Sequence, residues 1–229
     1  MLNIKNLCKS YGSKIIINSW SYQFENGKVY GLIGRNGIGK TTLLKCICGL
    51  TLPDKAEIIT ERGNLSRMDY LDRDINYVSD EPIYYHDLTL QEHLWLVCKV
   101  ENHKKEEARN AISFYTNRLH MNEYLNYYPS ALSKGTLQRM MLIMGFLRKG
   151  TNLLLDEPFN GLDPVQLEEI THICDEERKK RCLIISSHDI ETLAELCDEY
   201  LVLGANGIQT FSGEIDRKLI NHLIGDSYA

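Results

Sequence analysis

Eight consecutive residues, Gly34-Arg35-Asn36-Gly37-Ile38-Gly39-Lys40-Thr41, satisfy the pattern G-x-x-x-x-G-K-[ST]. That spacing suits one task, which is to curl a backbone around an anion. Glycines let successive N–H groups turn toward a common point. A helix starting at the end of the loop adds the positive end of its dipole. Lys40 can then reach the β- and γ-phosphates of a nucleoside triphosphate, and the Thr41 hydroxyl can ligate Mg²⁺. Thr42 follows directly and joins the candidate nucleotide contacts. The alternative is a glycine-rich turn beside a solvated lysine. Against it stand a strand-type run before the loop and a helix-type run after it, the context the pattern requires. By itself the loop does not separate a GTPase, a kinase or an ATPase.

A second constellation lies far downstream. Asn152-Leu153-Leu154-Leu155-Asp156-Glu157 puts two carboxylates at the carboxyl end of a short apolar run. In open α/β sheets ligands bind at the carboxyl ends of strands. Asp156 is placed to hold Mg²⁺ through its water shell, and Glu157 to polarise an attacking water. An acidic strand end entering a loop is the plainer alternative, and the phosphate loop upstream argues against it.

These residues need a frame. Short strands are predicted at Leu2 to Leu7, in part of Ile15 to Phe24, and at Lys28 to Ile33, with an Asn26-Gly27 turn between the last two. A helix is predicted from Lys40 to about Leu50. From about Leu88 to Leu147 the character changes. Ala108, Ile112, Tyr115 and Leu119 recur at helical spacing, as do Met141, Leu142, Gly145 and Phe146. Apolar runs that barely alternate return at Asn152 to Leu155 and Cys182 to Ile185, which predicts strands covered on both faces. Asp163-Pro164 predicts a helix cap followed by proline at the first helical position. A last strand, Tyr200 to Leu203, precedes an Asn206-Gly207 turn. The sum is an α/β domain with a largely parallel sheet and a helical arm.

The chain has 229 residues, 43% hydrophobic and 25% charged, which fits one well-packed domain. A net charge of -5 gives no support for a basic nucleic-acid surface. The local cluster Arg178-Lys179-Lys180-Arg181 is expected to be a solvated helix end. The seven cysteines are odd in number and mostly sit among apolar neighbours, as reduced, buried thiols do. Cys46 and Cys48 are expected to pack rather than bind metal. No apolar run approaches the roughly 18–20 residues that span a bilayer, and the N-terminus lacks the apolar core of a signal peptide. Any membrane function is therefore expected from a partner.

With these motifs in order, the sequence resembles the ABC ATPase family of P-loop NTPases over essentially the whole chain. Leu132-Ser133-Lys134-Gly135-Thr136-Leu137-Gln138-Arg139 looks like the family's signature segment, usually LSGGQ. Gly161-Leu162-Asp163 is similar to its D-loop, and His188 falls where the family places a switch histidine. Tyr11 matches the aromatic that stacks on adenine. The resemblance implies an α/β P-loop NTPase fold of the ABC-ATPase kind. Its largely parallel sheet is flanked by helices, with an N-terminal antiparallel β subdomain and a helical insertion. It implies one domain over 1–229. Residues 1–87 and 148–229 would form a RecA-like core with the β subdomain, and 88–147 the helical subdomain. It further implies Mg²⁺-dependent hydrolysis of ATP to ADP and phosphate, driving transport by a separate membrane-spanning permease.

The implied assembly is a head-to-tail pair with a second copy or a homologous ATPase subunit. ATP would lie between the phosphate loop of one and Ser133 and Gly135 of the other. His188 would meet the γ-phosphate. The implied location is cytoplasmic, held at the inner face of the cell membrane through the permease, with no nucleic-acid partner. A soluble relative acting on ribosomes or DNA is the competing reading, but the second domain or long coiled coil of such relatives is not found. A nucleotide-gated scaffold with little turnover is another.

Two departures stand out. Lys134 and Thr136 replace the signature's first glycine and its glutamine. Lys134 is either a tolerated surface residue or an added positive charge near nucleotide. In Ile75-Asn76-Tyr77-Val78-Ser79-Asp80-Glu81-Pro82, Asp80 stands where the family usually has glutamine. Its charge could bind Mg²⁺ more strongly or repel the triphosphate. Acidic residues here resemble a subgroup serving exporters and bacteriocin-immunity or antibiotic-resistance systems, which points to export. The aromatic segment after Asp80, with Tyr84, Tyr85 and Leu88, is the expected groove for a helix of the permease, local packing being the alternative.

Overall fold

A computed structural model of the chain describes residues 1–65, 73–204 and 206–213, so the last part of the expected domain, residues 214–229, lies outside it. Two sheets make the frame. The larger runs β10-β9-β3-β8-β7-β6, built from β3 (Val29–Gly34), β6 (Ile75–Val78), β7 (Asn152–Asp156), β8 (Cys182–Ser186), β9 (Glu199–Gly204) and β10 (Gly207–Ser212). Its pairs are parallel except the β9–β10 hairpin. The smaller sheet, β2-β1-β4-β5, is antiparallel. It comprises β1 (Leu2–Tyr11), β2 (Lys14–Phe24), β4 (Lys55–Thr60) and β5 (Gly63–Asn64). This is the α/β architecture that the resemblance implies, a largely parallel sheet with an N-terminal antiparallel subdomain.

The apolar runs barely alternate because two cores compete for the same strands. On β7, Leu153 and Leu155 face one core and Leu154 the other. On β8, Leu183 and Ile185 oppose Cys182 and Ile184 in the same way. Strand side chains alternate in direction, so a strand buried on both faces must be apolar at every position. One core lies between the large sheet, the antiparallel sheet and α1 (Lys40–Cys48). The other takes α2 (Leu90–Val100), α3 (Lys105–Arg118), α4 (Lys134–Leu147), α5 (Pro164–Glu177) and α6 (Ile190–Leu196). Each fully buried Leu or Ile adds roughly 2 kcal/mol of apolar transfer, so the central strands anchor both cores.

Local chemistry sets the helix ends. Helix α1 stops at Cys48, two residues before the expected Leu50, because Gly49 takes the left-handed conformation (φ 79°) and its N–H turns back to Cys46 O. Thr89 and Glu92 form a reciprocal capping box at α2. Asp163 Oδ1 accepts from Gln166 N at 2.9 Å, with Pro164 at the first helical position. Strand β1 runs on to Tyr11, beyond the expected Leu7, through bulged pairing with β2. Ala108, Ile112, Tyr115 and Leu119 are all buried, as their spacing predicts. All seven cysteines are free thiols. Cys46 and Cys48 are buried, and burial pushes both thiols up to about 11.

The basic cluster after α5 corrects its expectation. Lys180 is solvent-exposed, but Arg181 is only 3% exposed. Its guanidinium pairs with Glu177 and donates to Phe146 O and Arg148 O, each at 3.0 Å. Tyr115 OH adds a hydrogen bond to Glu177 at 2.9 Å. The last carbonyls of α4 have no partners in their own helix. Arg181 supplies donors to them from the core, and that demand draws it out of solvent.

Candidate active site

The phosphate loop joins β3, which ends at Gly34, to α1, which starts at Lys40. The conformation of the loop depends on two glycines. Gly37 (φ 77°) and Gly39 (φ 125°) occupy backbone regions that side chains disfavour. A Cβ at Gly39 would also stand 2.4 Å from Ile16 Cγ2 of β2. The loop opens into a cleft of about 260 Å³ lined by Arg35, Asn36, Gly37, Gly39, Lys40, Thr41 and Thr42, with Asp80 and Glu157 facing them. Two expected contacts differ in kind. Gly34 offers its carbonyl to Lys40 rather than lining the cleft. The Ile38 side chain packs into the apolar core, and its N–H turns to Arg35 O at 3.2 Å.

Lys40 is 6% exposed. A buried ammonium needs partners. Its Nζ donates to Gly34 O at 2.9 Å and lies 3.4 Å from Glu157 Oε1. The same carboxylate reaches His188: Glu157 Oε2 accepts from His188 N at 3.3 Å and meets His188 Nδ1 at 2.9 Å. Glu157 therefore bridges the loop lysine and the histidine that follows β8. It adopts φ 47°, with its N–H held by Ser186 O and Ser186 Oγ, both at 3.0 Å. A left-handed residue just past β7 costs free energy and persists only where neighbours fix it.

Asp156 is fully buried. Its two oxygens accept from Ser186 Oγ at 2.5 Å and Tyr77 OH at 2.9 Å. Burial, then the Asp156 charge, hold the Tyr77 phenol well above the ordinary tyrosine range, so it stays a donor. Asp80 Oδ1 accepts from Glu81 N at 2.9 Å and from Ser79 Oγ at 3.3 Å. Thr41, Asp156 and Asp80 supply hard oxygen donors, which suit Mg²⁺. Among the described residues no group of three or more His, Cys, Asp or Glu forms a metal cage. Mg²⁺ needs none, since it is held by one or two carboxylates together with substrate phosphates and water.

Three expected residues lie apart from this cleft. Tyr11 is 53% exposed at the end of β1, with Lys9 Nζ 4.9 Å above its ring. Ser133 caps α4, accepting from Thr136 N at 3.2 Å. Gly135 abuts the Gly161 loop so closely that a Cβ would stand 2.6 Å from Gly161 O. Thr136 is buried, bonded to Ser133 Oγ and to Arg139, while Lys134 is exposed. Ser186 and Tyr77, which orient the acidic pair, escaped sequence reasoning. The signal for Ser186 was a lone hydroxyl ending an otherwise apolar strand; Tyr77 gave none beyond lying on β6.

Comparison with known proteins bears on the family and the fold. A family model described as ABC transporter matches residues 17–160. The lantibiotic transport ATP-binding protein SrtF of Streptococcus pyogenes is 32% identical over 199 residues, covering 86% of this chain and 84% of that protein. A solved structure described as the ATP binding subunit of an ABC transporter superposes with a TM-score of 0.86 at 26% identity, over 100% of this chain and 95% of that one. A second, a dimeric post-hydrolysis ATP-binding cassette bound to ADP and Pi, gives 0.82 at 20% identity over 93% and 98%, a likeness of fold. A family match reaching from β2 past the acidic pair, with a relative of that identity and extent, leaves one conclusion: the chain belongs to the ABC transporter family, as a P-loop ATP-binding subunit.

Proposed function

We propose that the cleft binds ATP and hydrolyses it to ADP and phosphate, and that this cycle drives export through a separate membrane-spanning permease. The observation that carries the proposal is Glu157, which spans Lys40 on one side and His188 on the other. Lys40 leaves Glu157 for the β- and γ-phosphates when the nucleotide arrives, since a phosphate is the stronger partner for a buried ammonium. Glu157, released from Lys40, accepts a proton from the attacking water. His188 hydrogen-bonds the γ-phosphate and keeps the water in line. Thr41, Asp156 and Asp80 would hold Mg²⁺ when the nucleotide is bound. The bound ion would neutralise charge developing on the phosphate oxygens. Loop N–H groups between Arg35 and Thr42, other than that of Ile38, cradle the phosphates, and Tyr11 stacks on the adenine.

Ser133 and Gly135 belong to a second site half. Their position at the head of α4, outside the cleft, supports a head-to-tail pair in which they close over ATP bound to another copy or a homologous subunit. The dimeric state of one fold neighbour is in keeping with this. Residues 88–147 act as the helical subdomain against the RecA-like remainder. The exposed Ile83 and Tyr85 (68% and 65%), with Tyr84 and Leu88 beside them, form the face on which a permease helix docks. No described helix is long and apolar enough to cross a membrane. Docking would hold the subunit at the cytoplasmic face. Export follows the acidic Asp80 and the transport role in SrtF's name.

Phosphate release by wild type and by Glu157→Gln tests the reading. The variant should lose turnover by about 100-fold or more while still binding ATP. Equal rates in both proteins would remove Glu157 from the chemistry.

A further inference from the structure

His93 lies one turn into α2 and is 1% exposed. Both its ring nitrogens are engaged. Nε2 lies 2.9 Å from Tyr85 N, and Nδ1 lies 2.8 Å from Thr89 O. Tyr85 N–H can only donate, so Nε2 must be the acceptor. The ring proton therefore sits on Nδ1, where it donates to the Thr89 carbonyl. That carbonyl also accepts His93 N at 3.0 Å. Thr89 is itself fixed, since Glu92 Oε2 accepts from Thr89 N at 2.7 Å and from Thr89 Oγ1 at 2.8 Å. The first turn of α2 is thus a rigid seat, and it presents a ring nitrogen as acceptor to a backbone amide outside the helix.

The amide it holds belongs to the segment between Asp80 and Leu88. At one end of this segment Asp80 lines the phosphate cleft. Near its middle Ile83 and Tyr85 project into solvent. The Tyr85 ring lies over His93, with centroids 6.1 Å apart and planes 30° apart. One buried side chain therefore holds the backbone of a segment that lines the phosphate cleft at one place and meets solvent at another.

We infer that His93 is a positioning residue: its Nε2 holds Tyr85 N–H so that Asp80 keeps its station in the cleft. The inference rests on the ATPase reading above and deepens it by naming what couples the arm to the cleft. Its demand is for an acceptor at Nε2, not merely for volume. Phenylalanine fills the space and keeps the stacking but leaves the Tyr85 amide without its partner. Glutamine replaces the acceptor.

The test uses the full-length protein with His93→Phe and His93→Gln. It measures Mg-ATP turnover against ATP concentration and amide hydrogen exchange at Tyr85. In His93→Phe, kcat should fall about tenfold with KM changed by less than about twofold, because Asp80 moves while the phosphate loop does not. The Tyr85 amide should lose its protection in the same variant. His93→Gln should restore both. Equal kcat in wild type and His93→Phe, or a His93→Gln protein as impaired as His93→Phe, would overturn the inference. A wild type without turnover would sink the ATPase reading instead. The exchange at Tyr85 would still decide whether His93 holds the segment.

Discussion

Lys40 is held between Gly34 O and Glu157, so the contacts that hold it inside the protein are the ones a nucleotide must replace. Lys40→Ala should weaken ATP binding by about 2–3 kcal/mol, roughly 30- to 150-fold, the usual worth of hydrogen bonds to a charged group. Titration with a fluorescent ATP analogue measures this, and unaltered affinity would remove the lysine from the phosphate site. Ser186 is the less obvious residue. Its hydroxyl donates to Asp156 and its Oγ accepts the Glu157 N–H. Ser186→Ala removes a partner from a buried carboxylate and from a left-handed backbone at once. It should cost about 1–3 kcal/mol in urea unfolding and lower kcat. An unfolding midpoint equal to wild type would contradict that. The phosphate loop, Asp156 and Glu157 could be read from residue type and spacing because their chemistry is local. Ser186 and Tyr77 could not, because they meet Asp156 only through the order of strands β6, β7 and β8.

The helical arm meets the core at a buried ion cluster. Arg181 and Glu177 are 3% and 2% exposed, and Arg181 also ties down the last carbonyls of α4. Removing one member leaves an unpaired buried charge, so Arg181→Met should cost about 3–5 kcal/mol in equilibrium unfolding. A loss under 1 kcal/mol would show that the cluster does not hold arm to core. The same cluster gives a pH dependence. Burial pushes the Glu177 carboxyl up, but Arg181 and Lys180 outweigh burial and hold it below its ordinary value of 4.5. The folded protein thus prefers the carboxylate. Its contribution is complete above about pH 4.5 and is lost as pH falls through the lower folded value. The drop in urea midpoint on acidification below pH 4.5 should be smaller in Glu177→Gln than in wild type, and equal slopes would contradict the assignment. Composition alone made Arg178 to Arg181 a solvated helix end. What the sequence does not carry is the need of another helix, α4, for donors at its C-terminus. The burial of β7 and β8 on both faces, by contrast, is written in their unbroken apolar runs.

At the scale of the whole molecule, the cleft and the α4 head are separate places, and Ser133 and Gly135 do not line the cleft of their own copy. If they serve another copy, turnover must depend on assembly. Chain order made the two halves visible through the resemblance of their motifs. The pairing of the antiparallel sheet, β2-β1-β4-β5, was not visible, because its bulged registers are set by tertiary packing. The packing of Gly135 on Gly161 belongs to this scale too. It places the signature segment against the loop that follows the acidic pair. The most direct measurement is phosphate release per chain across a range of protein concentrations, for wild type beside Glu157→Gln. ATP hydrolysis between paired copies predicts a wild-type rate per chain that rises with concentration to a plateau, and a variant at least about 100-fold slower at every point. A Glu157→Gln protein as fast as wild type would contradict the site, and a wild-type rate per chain that is flat across the monomer–dimer range would contradict the pairing.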